Sequence, residues 1–137
     1  MCIRDRSNLY KQEKVEAEIL EFYKNPNEQI IWSDFVISRA GALSLSEIIS
    51  LNRGTVMIPL PTSVDNHQVE NAKYIESENM GIMHQEKHGL DALLNGINQI
   101  IVNKIYLDWQ KKSIKCNHLN ASKIILEHVE SFVDETI

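Results

Sequence analysis

The chain is poor in the residues that punctuate or cross-link a fold: five glycines, three prolines and two cysteines in 137 positions. Cys2 and Cys116 stand in unrelated contexts without Cys-x-x-Cys spacing, which argues against a disulfide framework and for two free thiols in a reducing compartment. No apolar run approaches the roughly 18 residues of a membrane span. No signal-peptide pattern is visible either, so a cytoplasmic setting is expected. Positive charge is in deficit, with 14 Lys and Arg against 19 Asp and Glu and a net charge of −5. That balance speaks against a nucleic-acid or anionic-membrane surface spread over the whole fold. What is present is a soluble globular composition, 43% hydrophobic and 24% charged. The length suits one domain with a real core and is too short for two.

Periodicity and turn residues divide most of the chain. The alternation in "VEAEILEF" (15–22) reads as a strand, although "EKVEAEILEFY" also fits a helix. Pro26 suits the first position of a short helix running to Ser33. "DFVISR" (34–39) is a short buried strand, and "AGALSLSEIISLNRG" (40–54) is a glycine turn into a helix that ends near Gly54. "TVMIPLP" (55–61) is a strand stopped by two prolines, which cannot donate to a ladder. A helix over 64–81 with Gly81 behind it, a short strand over 81–85, and three helical patterns from about residue 89 complete the reading. Such alternation predicts an α/β fold with a parallel sheet and crossover helices, whose sites lie at the carboxyl ends of the strands.

Two polar clusters fall at those ends. After 34–39, Gly41 permits close backbone approach, and the amides of Ala42, Leu43 and Ser44 form a helix N-terminus suited to a phosphate. Glu47, one turn on, can accept two hydrogen bonds from a vicinal diol such as ribose. After 55–59, "PLPTSVDNHQVENAKYIE" (59–76) gathers Asp65, Asn66, His67, Gln68 and Asn71 within seven residues. Alone, that run reads equally as helix capping. Beside the first cluster, Gln68 and Asn71 on one helical face read as amides addressing one sugar. A phosphate site, a diol acceptor and a pair of amides together describe a nucleotide-sugar pocket.

"SDFVISRAGALSLSE" followed by "IPLPTSVDNHQVENA" resembles the two signature stretches in the C-terminal domain of the family 28 glycosyltransferases, in the branch that transfers N-acetylglucosamine during peptidoglycan precursor synthesis. The likeness covers roughly residues 15 to 135. It implies a Rossmann-like, partial C-terminal domain of a GT-B enzyme, holding the donor UDP-N-acetylglucosamine. The parent enzyme would be an inverting hexosyltransferase that adds the sugar to lipid I to form lipid II, peripheral on the inner face of the bacterial plasma membrane. By the same resemblance Glu47 binds the ribose hydroxyls, and the amides of Ala42, Leu43 and Ser44 lie near the diphosphate. Gln68 and Asn71 contact the GlcNAc hydroxyls, His67 stands where some members carry another glutamine, and the Tyr23 backbone addresses the uracil. Gly54 replaces a proline common in the family, at the entry to a strand.

The family's N-terminal domain, with its glycine-rich loop, acceptor site and candidate general base, is not found in this sequence, nor is a GGS-type phosphate loop. Residues 1–6, "MCIRDR", fit no part of the family and read as a non-native leader, with 7–137 as the partial domain. The expectation is a truncated chain, inactive by itself. Two alternatives stay open: a free-standing donor-binding subunit of a two-component GlcNAc transferase, and a nucleotide-binding module without catalysis. Arg39 reads as a scaffold cation rather than a ligand contact. "HQEKH" puts His84 and His88 four apart, but the glutamate is misplaced for a zinc helix and the run sits at a strand end. No carboxylate cluster suggests a metal, so no protein-held cofactor is expected. Ile124, Ile125, Val129, Phe132 and Val133 form one apolar helix face, a core stripe by periodicity; by resemblance, that helix reaches towards the family's N-terminal domain.

Overall fold

Two short runs, Asn52-Arg53-Gly54 and Asn79-Met80-Gly81, set the spacing of this α/β chain. The computed structural model describes residues 3–63 and 66–115. Along them run α1 (Ile3–Gln12), α2 (Pro26–Trp32), β1 (Phe35–Ser38), α3 (Ala42–Ser50), β2 (Gly54–Met57), α4 (His67–Ser77) and β3 (Gly81–Met83). A 3-10 turn (Glu86–His88), α5 (Gly89–Val102) and α6 (Ile105–Lys115) follow. The strands form one parallel sheet in the order β1-β2-β3, as the alternation predicts.

The central strand β2 is buried at every position, which is why it reads as a continuous run rather than an alternation. Its side chains still point to opposite faces. Met57 packs with Ala40, Leu45, Ile49, Ala72, Ile75 and Met80 on the α3 and α4 side. Val56 packs with Ile100 and Trp109, ringed by Phe35, Ile82, Leu93, Ile105 and Tyr106, on the α5 and α6 side. Helices thus cover both faces and leave the strand ends open for a site.

The helix stops differ from the expectation. Gly54 and Gly81 do not end helices. Asn52 and Asn79 do, at φ 58° and 56°. Asn52 N donates to Ile49 O at 3.0 Å and Arg53 N to Ile48 O at 3.1 Å; Asn79 N donates to Glu76 O at 3.0 Å and Met80 N to Ile75 O at 3.1 Å. Each pair is a Schellman ending with asparagine in the left-handed position. The glycines instead open β2 and β3, where space demands them: an added Cβ on Gly54 would lie 2.3 Å from Trp109 Cε3, and on Gly81 2.3 Å from Thr55 O.

The strand expected over 15–22 is overturned. This segment follows α1 without joining the sheet, and Val15, Leu20 and Phe22 are exposed. Alternation supplies a strand's faces, but a strand also needs a neighbour for its amides and carbonyls. None of the three strands pairs with it. Residues 3–6, set aside as leader, lie in α1. Cys2, Asp65, Cys116 and the apolar stripe from Ile124 to Val133 lie outside the described residues.

Helix α2 buries no side chain. Arg53 ties it down: Nε donates to Ser33 O at 2.7 Å, Nη2 to Ile31 O, and Nη1 to Asn52 O at 3.0 Å. One guanidinium therefore caps the ends of α2 and α3 together.

Candidate functional site

The crossover after β1 is three residues long, Arg39 to Gly41, and delivers the chain directly into α3. Gly41 is extended at φ −72°, ψ 136° and no side chain caps the helix. The first intrahelical bond is Leu45 N to Gly41 O at 3.0 Å. The amides of Ala42, Leu43 and Ser44 therefore have no acceptor within α3, and all three residues are exposed. Their partial positive charge is what an anion would meet there. An added Cβ on Gly41 would find only Ser44 Oγ, at 4.0 Å, so it is open space and not the protein's own packing that glycine preserves.

After β2 the chain runs through Pro59 and Pro61 and enters α4 at His67, with Asn66 left-handed at φ 56°. Here two amide side chains are given a fixed polarity. Gln68 Oε1 accepts from Leu60 N at 2.9 Å, so its Nε2 hydrogens remain for another partner. Asn71 Nδ2 donates to Ala40 O at 3.1 Å, so its Oδ1 remains as an acceptor. One amide offers donors and the other an acceptor. Sequence spacing placed both residues on a shared face, but it carried no sign of this division.

A cleft of about 660 Å³ runs between α3 and α4. Its floor is Leu45, Ile49 and Ile75, and Ala42, Glu47 and Asn71 line it with Glu70 and Tyr74. Three of the eight expected site residues, Ala42, Glu47 and Asn71, therefore meet around one space. Leu43 and Ser44 stay in the exposed first turn of α3 without lining the cleft, and Gln68 is turned to the loop at Leu60. His67 is exposed at the start of α4, and Tyr23 is half-buried ahead of α2. Tyr74 and Glu70 were not anticipated. The signal for them was helical spacing, since Tyr74 lies three residues after Asn71 and four after Glu70 and so neighbours both on the helix surface.

Arg39 occupies the junction between both loops. Its Nη1 donates to Ile58 O at 3.1 Å and lies 3.5 Å from Pro59 O, while Glu86 Oε1 pairs with it at 2.6 Å. These contacts tie Arg39 to the loop after β2 and the turn after β3, both parts of the protein's own framework. Arg39, Ser38, His84 and Glu86 line a second cavity of about 460 Å³ at the strand ends. The rings of His84 and His88 meet edge to face at 5.9 Å. Among the described residues, no three histidine, cysteine or carboxylate side chains gather as a metal site, and no helix is long and apolar enough to cross a membrane.

Comparison with known proteins agrees with this architecture. The fold superposes on a crystal structure of Acinetobacter baumannii MurG with a TM-score of 0.78, covering 94% of this chain and 38% of that one at 23% identity, a likeness of fold. A Rickettsia bellii protein named UDP-N-acetylglucosamine–N-acetylmuramyl-(pentapeptide) pyrophosphoryl-undecaprenol N-acetylglucosamine transferase is 32% identical over 127 residues, 92% of this chain and 36% of that protein. A protein of the same name from a Wolbachia strain of Drosophila simulans is 45% identical over 76 residues, 56% of this chain and 22% of that protein. The chain thus spans between 22% and 38% of the length of these relatives. Residues 4–129 match the glycosyltransferase family 28 C-terminal domain, and the chain belongs to that family.

Proposed function

We propose that this chain is the donor-binding part of an inverting glycosyltransferase that moves N-acetylglucosamine from UDP-N-acetylglucosamine to lipid I, forming lipid II. The observation that carries the reading is the meeting of a helix N-terminus, a carboxylate and an amide at one cleft, in Ala42, Glu47 and Asn71. The names of the relatives supply the sugar and the pyrophosphoryl-undecaprenol acceptor; a parent enzyme at the inner face of the membrane belongs to the same proposal. In this reading the amides of Ala42, Leu43 and Ser44 take the diphosphate and stabilise the charge that develops on it as the glycosidic bond breaks. Glu47 accepts from the ribose diol. Gln68 donates to a sugar oxygen, and Asn71 accepts from a sugar hydroxyl. His67 borders the sugar, and the Tyr23 backbone meets the uracil. The general base and the acceptor cleft are assigned to no residue of this chain.

Titration calorimetry with UDP and UDP-N-acetylglucosamine tests the assignment. Glu47→Ala should weaken both ligands by about tenfold, the scale of a hydrogen bond to a charged group. Gln68→Ala should weaken UDP-N-acetylglucosamine and leave UDP nearly unchanged, because UDP presents no sugar. Equal losses in the Gln68 variant would remove that residue from the sugar site. Full affinity in Glu47→Ala would remove the ribose assignment.

A further inference from the structure

We infer that Arg39, held by Glu86, is a positioning residue that sets the two sugar-facing amides in place. The inference rests on the donor-site reading above. The contacts form a continuous chain. Glu86, in the turn after β3, pairs with Arg39 at 2.6 Å. Arg39, at the end of β1, donates to Ile58 O at 3.1 Å, in the loop that leaves β2. Two residues along that loop, Leu60 N donates to Gln68 Oε1 at 2.9 Å. In the other direction, Ala40 follows Arg39 directly, and its carbonyl takes Asn71 Nδ2 at 3.1 Å. One side chain therefore registers the ends of all three strands against the first turns of α4. Both amides that the reading assigns to the sugar owe their polarity to backbone groups that flank Arg39 or its contacts.

Energetics separate this role from stability. The paired side chains are 51% and 48% exposed, and an ion pair at such a surface contributes little to folding. Its removal should leave the fold standing and let the Ile58–Ser63 loop shift. A shift of that kind would alter sugar contacts and spare the ribose and diphosphate contacts, which belong to α3. Misplaced positioning groups are costly to a site even when the fold tolerates them.

The test uses the whole chain with Arg39→Ala, Arg39→Lys and Glu86→Gln, and reads two quantities. Without ligand, hydrogen exchange at the Leu60 amide reports the Gln68 contact. With ligand, dissociation constants are compared for UDP and UDP-N-acetylglucosamine. Arg39→Ala should speed Leu60 exchange and weaken UDP-N-acetylglucosamine, each by about tenfold, with UDP changed less than about twofold. Glu86→Gln should move both readings the same way by less, since Arg39 keeps its carbonyl. Arg39→Lys, which retains the charge but not the planar fork, should fall between them. Unchanged Leu60 exchange in a folded Arg39→Ala chain overturns the inference, as does an equal loss of both ligands. If Arg39→Ala fails to fold, Glu86→Gln decides by the same criteria. Should the unsubstituted chain bind neither ligand, the donor reading falls, while Leu60 exchange still settles whether Arg39 governs Gln68.

Discussion

Gly81→Ala should destabilise the chain by about 3 kcal/mol, the upper range for forcing a methyl into a packed interior. The melting temperature would fall by on the order of 10 °C. Nothing about the glycine's dihedral angles causes this. The new Cβ would lie 2.3 Å from Thr55 O and 3.2 Å from Met57 Cε, in the parallel pairing of β3 with the buried central strand. A carbonyl of that strand has no free space to move into, so β3 must separate or the sheet must bend. The same substitution at Gly96 should have the opposite sign. There the Cβ would meet only Ile82 Cδ1 at 3.6 Å, an ordinary contact. Alanine within α5 should gain about 0.5–1 kcal/mol from helix propensity. Thermal unfolding of both variants checks the pair, and a Gly81→Ala chain melting within two or three degrees of the parent would show that the close approach is not real.

Ala42→Pro should separate binding from folding. Proline suits the first position of a helix, where the lost N–H has no intrahelical acceptor. The residue before it must be extended, and Gly41 already is, at φ −72°, ψ 136°. The melting temperature should therefore hold or rise. If the proposed diphosphate site is right, UDP and UDP-N-acetylglucosamine should weaken together by about thirtyfold to a hundredfold, because a donor to a charged group is replaced by a methylene. Unchanged affinity in calorimetry would place the diphosphate away from this helix end. A fall in melting temperature would instead show that the Ala42 amide has a partner within the protein.

The sheet and its crossover helices were legible because each rests on a local signal. Two prolines follow β2 in the sequence, and burial on both faces leaves β2 without a polar-apolar alternation. Helix endings were misread for a local reason too: glycine draws attention as the usual stop, yet Asn52 and Asn79 take the left-handed position two residues earlier. The glycines answer to Trp109 and Thr55, residues 55 and 26 positions away, and no local pattern announces such neighbours. Residues 15–22 failed for the converse reason, since alternation is written in the segment and a ladder partner is not. At the site, the helix N-terminus at Ala42 and the carboxylate at Glu47 followed from spacing. The junction of Arg39 with Glu86, 47 residues on, did not. Long-range ion pairs leave no trace in a single sequence.

The attachment of α2 bears on how this protein breathes. A helix that buries nothing has little hydrophobic free energy holding it, and here a guanidinium supplies the hold through Ile31 O and Ser33 O. In native-state hydrogen exchange, α2 should open at a small fraction of the global unfolding free energy, as a unit of its own, ahead of β2. Arg53→Ala would lower that opening energy further while leaving the exchange of β2 amides set by global unfolding. Tyr23 stands three residues before α2, so a nucleobase held there, as proposed above, would sit beside a lightly held helix, and ligand capture would order α2 as it proceeds.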